Sequence, residues 1–150
     1  MGMPDLDQEQ TPLDSSDSVP HVLLVDDDPV FGALMGRAAA QSRVNLTYCK
    51  DEAEVSKCLR WKFDVAIVDY HLERSNGIDV TKQLEKLPLP VPVILISAGR
   101  RLPTPISSWP DSIKGFMEKN LGHLAILEAA LAAHEMALAH RNAKTENPND

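Results

Sequence analysis

The chain has 150 residues, enough for one domain with a proper core, and its 43% hydrophobic and 25% charged residues are ordinary for a folded globular protein. No apolar run is long enough to cross a bilayer, the polar N-terminus does not read as a secretory signal, and no basic stripe invites nucleic acid. A cytoplasmic chain is therefore expected, with no membrane insertion and no direct nucleic-acid contact.

The net charge of −7 is unevenly spread, because residues 1–20 hold Asp5, Asp7, Glu9, Asp14 and Asp17 and no Lys or Arg. Residues 1–19 also contain Pro4 and Pro12 and few apolar side chains. Such a composition cannot offset the entropy of ordering, so a disordered acidic tail is expected there. The folded domain is expected over 20–140, with 141–150 as a short polar C-terminal tail.

His21–Val25 is a short continuous apolar run, the pattern of a strand buried on both faces. Asp28 offers an N-cap and Pro29 a first-turn proline, so a helix starts there, with Phe31, Leu34, Met35 and Ala38 as its apolar face. Val44–Cys49 alternates and carries β-branched Val44 and Thr47, which suits a second strand. Asp51 opens a helix that turns Val55, Cys58 and Leu59 inward. Cys49 and Cys58 lack metal-ligand spacing and are read as reduced thiols.

Val65–Val68 is the third strand. Ser75-Asn76-Gly77 is a turn, and Val80, Leu84 and Leu87 are spaced for a third helix. Val93–Ile96 is the fourth strand. Residues 99–112 should hold a fourth helix but contain Pro103, Pro105 and Pro110, and proline inside a helix costs ~3 kcal/mol or more. A loop is expected there, with at most one or two helical turns near Ile106–Ile113. Gly115-Phe116-Met117 is a short fifth strand. Leu121–His140 is a helix with Leu124, Leu127, Leu131 and Leu138 along one side, read first as core packing and second as a dimer face.

Five strands alternating with helices argue an α/β fold, a doubly wound five-stranded parallel sheet with a degraded fourth helix. In such sheets ligands bind beyond the carboxyl ends of the strands. The polar residues Asp26, Asp27, Asp28, Asp69, Ser97 and Lys119 fall at those ends. Carboxylates from two strands, a hydroxyl and a lysine are the parts of a pocket for a divalent cation and a phosphoryl group. Taken alone, each has a plainer reading. Asp28 is a helix cap, Asp26 and Asp27 are solvated loop acids, Lys119 is a surface charge, Ser97 is structural and Phe116 is core. His21, His71, His123, His134 and His140 are too scattered to form a metal site.

The pieces Leu-Leu-Val-Asp-Asp-Asp-Pro at 23–29, Ala-Ile-Val-Asp-Tyr-His at 66–71, Asn-Gly at 76–77, Ile-Leu-Ile-Ser-Ala at 94–98 and Gly-Phe-Met-Glu-Lys at 115–119 occur in order. Together they resemble the receiver domain of two-component response regulators, from about Pro20 to Ala139. The resemblance implies a flavodoxin- or CheY-like sheet of strand order 2-1-3-4-5. It implies that Asp69 is the phosphoacceptor, served by a sensor histidine kinase or a histidine phosphotransfer protein. Asp26, Asp27, Asp69 and the backbone carbonyl of His71 would hold Mg²⁺. Ser97 and Lys119 would bind phosphoryl oxygens, and Phe116 would be the aromatic switch residue. Self-phosphorylation and autodephosphorylation would be its only catalysis. Its output would be a phosphorylation-switched surface for a downstream protein target, with a homodimer as a further option. A stand-alone receiver is expected, since about ten residues follow the last helix.

The chain also departs from the family pattern. Ser97 stands where Thr is usual, and Glu73 where proline is common. Asn120 replaces the proline after the lysine, so a trans Lys119–Asn120 bond is expected, with Asn120 available to cap the last helix. Two rivals remain at this stage. One is a haloacid-dehalogenase-like phosphatase using Asp26 and Asp28. The other is a receiver-like binding module that works without phosphorylation.

Overall fold

The computed structural model of the chain describes residues 19–99 and 105–146. Residues 1–18, 100–104 and 147–150 lie outside them, and with them most of the expected acidic tail, part of the proline-rich stretch and the end of the C-terminal segment. Among the described residues there are five strands: β1 (His21–Val25), β2 (Asn45–Cys49), β3 (Val65–Asp69), β4 (Val93–Ser97) and β5 (Ile113–Glu118). They pair in parallel in the order β2-β1-β3-β4-β5, as the resemblance implied. The helices are α1 (Pro29–Gln41), α2 (Glu52–Cys58), α3 (Gly77–Leu84) and α4 (His123–Glu146).

The inner strands are buried on both faces, and alternate residues feed two separate cores. Leu23, Val25, Val68 and Leu95 pack on the side of α2 and α3. Val22, Leu24, Ile67 and Ile96 pack on the side of α1 and α4. This double burial explains the continuous apolar runs, because no strand position is left to alternate toward water.

Local signals set the helix starts. Asp28 caps α1 by accepting from the Val30 amide at 3.0 Å, Asp51 caps α2 from Glu54, and Asn76 caps α3 from Ile78 and Asp79. The buried face of α1 is Phe31, Gly32, Met35, Ala38 and Ala39; Leu34, expected there, points outward. The turn of the helix that meets the sheet includes Gly32, whose missing side chain admits the ring of Tyr48. A Cβ at Gly32 would lie 2.8 Å from that ring's Cζ.

Among the described residues, the stretch between β4 and β5 carries only a three-residue 3₁₀ helix, Ile106–Ser108, in keeping with its prolines. The last helix differs from its expected bounds. It begins at His123, after a 3₁₀ turn over Lys119–Leu121, and continues to Glu146, six residues past His140. Nothing from Arg141 to Glu146 breaks a helix, and the next proline is Pro148. Its buried side is Ile126, Leu127 and Ala130, while Leu124 and Leu138 of the expected stripe are exposed. Cys49 and Cys58 are free and buried, their sulfurs 3.5 Å apart.

Candidate functional site

Because all the strands run in one direction, their carboxyl ends share one edge of the sheet. β1 delivers Asp26 and Asp27 there, β3 ends on Asp69, β4 ends on Ser97, and β5 leads directly into Lys119. Asp26 extends the ladder by one step, its amide donating to the Cys49 carbonyl at 3.1 Å. Its Oδ1 accepts from the Asp28 amide at 2.8 Å, which tightens the turn into α1. The carboxylate of Asp28 is occupied in capping α1, as the plainer reading of that residue held.

Lys119 Nζ joins the two strand-end acids. It lies 2.8 Å from Asp26 Oδ2 and 3.3 Å from Asp69 Oδ2. Asp26, Asp27 and Asp69 each offer an oxygen within 4.8 Å of the others, with Asp26 and Asp69 buried and Asp27 open to solvent. Asp69 Oδ1 also accepts from the His71 amide at 3.2 Å. Burial pushes the Asp69 carboxyl up to about 6, with the neighbouring charge of Asp26 adding to the shift and Lys119 opposing it. Burial raises Asp26 as well, against the pull of Lys119. Burial works against the charge on Lys119, but its pairing with the two acids outweighs that and raises its pKa.

Three carboxylates against one ammonium leave an excess of two negative charges in a small, mostly buried volume. Hard oxygen donors with that charge deficit suit a hard divalent cation such as Mg²⁺. Ser97 Oγ is fully buried and has no hydrogen-bond partner among the described residues. β3 and β4 pair with Asp69 opposite Ile96, so Ser97 follows one residue later on the neighbouring strand. A buried hydroxyl left without a partner at the edge of an anionic site is a group free to bind an incoming oxygen.

The residues singled out from sequence are thus distributed as follows. Asp26, Asp27, Asp69 and Lys119 form one cluster, and Ser97 ends the adjacent strand. The side chain of His71 faces solvent, its ring edge-on to Tyr70 at 4.8 Å. Phe116 is 39% exposed on β5, its ring 6.1 Å from that of Trp109, so it is not a core residue. The Lys119–Asn120 bond is trans. Asn120 lies inside the 3₁₀ turn, and Gly122, at φ 101°, directly precedes α4. Sequence reasoning placed Phe31 on the apolar face of α1, where it is buried, but missed its contact with the site. Its ring centroid is 4.5 Å from Lys119 Nζ, and the His123 ring is tilted against it with centroids 4.9 Å apart. The available signal was position: Phe31 lies one helical turn beyond Asp27, at the site end of α1.

Comparison with known proteins agrees with this arrangement. The family model for the response regulator receiver domain matches residues 22–131. Transcriptional regulatory protein GlrR of Escherichia coli is 26% identical over 110 residues, which are 73% of this chain and 25% of that protein. Two-component response regulator ORR21 of Oryza sativa subsp. japonica is 35% identical over 83 residues, 53% of this chain and 12% of that one. The chain therefore spans a quarter or less of these relatives. A CheY-like receiver domain protein from Methanospirillum hungatei superposes with a TM-score of 0.74 at 16% identity, covering 82% of this chain and 99% of that chain. The response regulator TrrA from Thermotoga maritima, solved in complex with Mg²⁺-BeF, superposes at 0.66 with 19% identity, covering 77% and 99%. Among the described residues no helix is long and apolar enough to cross a membrane. With the matched span, the sheet order and the strand-end acids in agreement, the chain belongs to the family of response regulator receiver domains, a signalling fold of two-component systems.

Proposed function

We propose that Asp69 is a phosphoacceptor, charged by a sensor histidine kinase or a histidine phosphotransfer protein. The observation that carries this reading is the bridge made by Lys119 between Asp26 and Asp69, 2.8 and 3.3 Å away. Phosphoryl transfer is chiefly positioning and charge neutralisation, and a carboxylate attacking a phosphoryl group is repelled unless cations share the site. Asp26, Asp27, Asp69 and the backbone carbonyl of His71 would hold Mg²⁺, whose charge would offset that repulsion. The Mg²⁺-BeF complex of the Thermotoga relative supports this ligand class.

Asp69 uses a carboxylate oxygen to form the new O–P bond, the P–N bond of the phosphohistidine breaks, and the electron pair returns to the imidazole. Lys119 is a mobile point charge already beside that carboxylate and can follow a phosphoryl oxygen. Ser97 Oγ donates to another oxygen. The acyl phosphate on Asp69 carries roughly −1.5 to −2 charges, spread over three phosphoryl oxygens, where the free carboxylate carried −1, and water later removes the phosphoryl group. Drawing Ser97 and Lys119 toward that charge alters β4 and β5 and lets Phe116 move, which changes the surface seen by a downstream protein target.

The test is incubation of the full chain with acetyl phosphate or phosphoramidate and Mg²⁺. A mass gain of one phosphoryl group that disappears in Asp69→Ala is expected. No gain with either donor would overturn the assignment.

A further inference from the structure

β5 is an edge strand, and among the described residues no strand lies on its outer side. Edge strands present unpaired backbone groups that can pair with another chain. Residues 105–112, which precede it, supply only the short 3₁₀ helix and Trp109 instead of a covering helix. Lys114, Phe116 and Glu118 are consequently exposed on one face of β5. Neither Lys114 nor Glu118 forms an ion pair with any described residue. Gly115 and Met117, together with Lys114 and Phe116, border an apolar groove of about 770 Å³ between β5 and α4, lined also by Ile94 and Met136.

We propose that β5 is the contact surface for a second copy of this chain, paired antiparallel about a two-fold axis at Phe116. The five residues Lys114-Gly115-Phe116-Met117-Glu118 are complementary to their own reverse. In that register Lys114 faces the second copy's Glu118, Glu118 faces its Lys114, and the two Phe116 rings meet. On the groove side each Met117 falls beside a Gly115, so a flexible thioether side chain fills the space that a glycine leaves open. Opposite charges and aromatic pairs directly across an antiparallel ladder are each favourable. A register centred on Lys114 or on Glu118 sets like charges opposite each other. One centred on Gly115 or Met117 leaves a charge facing Phe116. The alignment is therefore specified by the strand itself, and the result is one continuous sheet across the pair. It requires no phosphoryl chemistry, so it stands or falls apart from the reading of Asp69.

The experiment is sedimentation equilibrium of the full chain and of three variants, Lys114→Glu, Glu118→Lys and the double exchange, at low and high salt. Both residues are exposed and outside the acid–lysine cluster, and circular dichroism checks that each variant is folded. The parent chain is expected to dimerise, each single exchange to weaken the dimer about tenfold, and the double exchange to restore it to within about threefold. The difference between parent and single exchanges should shrink in high salt. Zero-length carbodiimide coupling should join Lys114 to Glu118 within a covalent dimer, since within one strand the two are ~13 Å apart with Phe116 between them. A chain that stays monomeric throughout, or a dimer indifferent to all three exchanges, would overturn the proposal. The first result would leave the edge to some other chain, and the second would move the contact to another face such as α4.

Discussion

At the scale of single residues, the candidate site is held together against its own electrostatics. Asp69 is 5% exposed and its pKa lies near 6, well above that of a solvated aspartate. Between the ordinary carboxylate range and about 6 the folded chain therefore binds more protons than the unfolded one. The charge on Asp69 thus weakens the fold progressively as pH rises through that window, and the penalty is fully present at neutral pH. Asp69→Asn should raise stability at pH 7.5 by on the order of 1–3 kcal/mol in urea denaturation. The gain should fade below about pH 4, where the parent carboxyl is itself protonated. An unchanged gain at low pH would show that charge is not its source. The Phe31 ring, 4.5 Å from Lys119 Nζ, is the matching favourable term. Such a cation–π contact is worth about 0.5–2 kcal/mol depending on burial. Phe31→Leu keeps an apolar side chain but loses the ring face, and should slow acetyl-phosphate labelling of Asp69 by roughly threefold to tenfold, while Phe31→Tyr should label near the parent rate. Equal rates in all three chains would remove Phe31 from any part in positioning the lysine.

At the scale of elements, α1 shows that the same substitution can have either sign. A Cβ at Gly32 would lie 2.8–3.0 Å from three ring carbons of Tyr48, whereas one at Gly36 meets nothing within 4 Å. Replacing glycine by alanine inside a helix is worth about 0.5–1 kcal/mol when nothing else changes. Gly36→Ala should therefore stabilise by about that amount. Gly32→Ala should lose it to overpacking, which costs about 1–3 kcal/mol, with thermal denaturation reporting both. The start of this helix was legible from sequence, because Asp28 and Pro29 are local signals that act through neighbouring amides. The strand cores were legible for a related reason: double burial writes itself as an unbroken apolar run. What escaped notice depended on partners far along the chain. Leu34 turned outward because the close approach of Gly32 to Tyr48 decides which side of α1 meets the sheet. Leu124 and Leu138 proved exposed because the core side of α4 is set by Ile126, Leu127 and Ala130. The end of α4 was placed too early because polarity was taken as a stop, although polar residues without proline or glycine continue a helix. At the site, the acids, the serine and the lysine could be read from the ends of apolar runs. The role of Phe31 could not, since it exists only once β5 brings Lys119 across the sheet.

At the scale of the whole molecule, the five parallel strands put Asp26, Asp27, Asp69, Ser97 and Lys119 at one edge, and the fold bears the repulsion among the acids. The cluster of Asp26, Asp27, Asp69 and Lys119 keeps its excess negative charge only while the sheet is formed, because the unfolded chain scatters those acids along the sequence. A divalent cation that prefers the gathered acids therefore binds the native state and draws the folding equilibrium toward it. Mg²⁺ at ten times its dissociation constant should add about 1.4 kcal/mol to unfolding stability at neutral pH, and chelation should remove it. Asp27 is the exposed member of the cluster and can be changed with little effect on packing. Asp27→Ala should leave the metal-free stability within about 0.5 kcal/mol of the parent and abolish most of the Mg²⁺ increment. The increment should also fall as pH drops through about 6, because the proton that Asp69 then takes up competes with the cation for the same oxygens. Sodium at matched ionic strength separates binding from screening: a screening effect would appear with sodium as well, whereas binding at the cluster requires the divalent ion. A stabilisation by Mg²⁺ that is equal in both chains would mean that the gathered carboxylates are not where the ion resides.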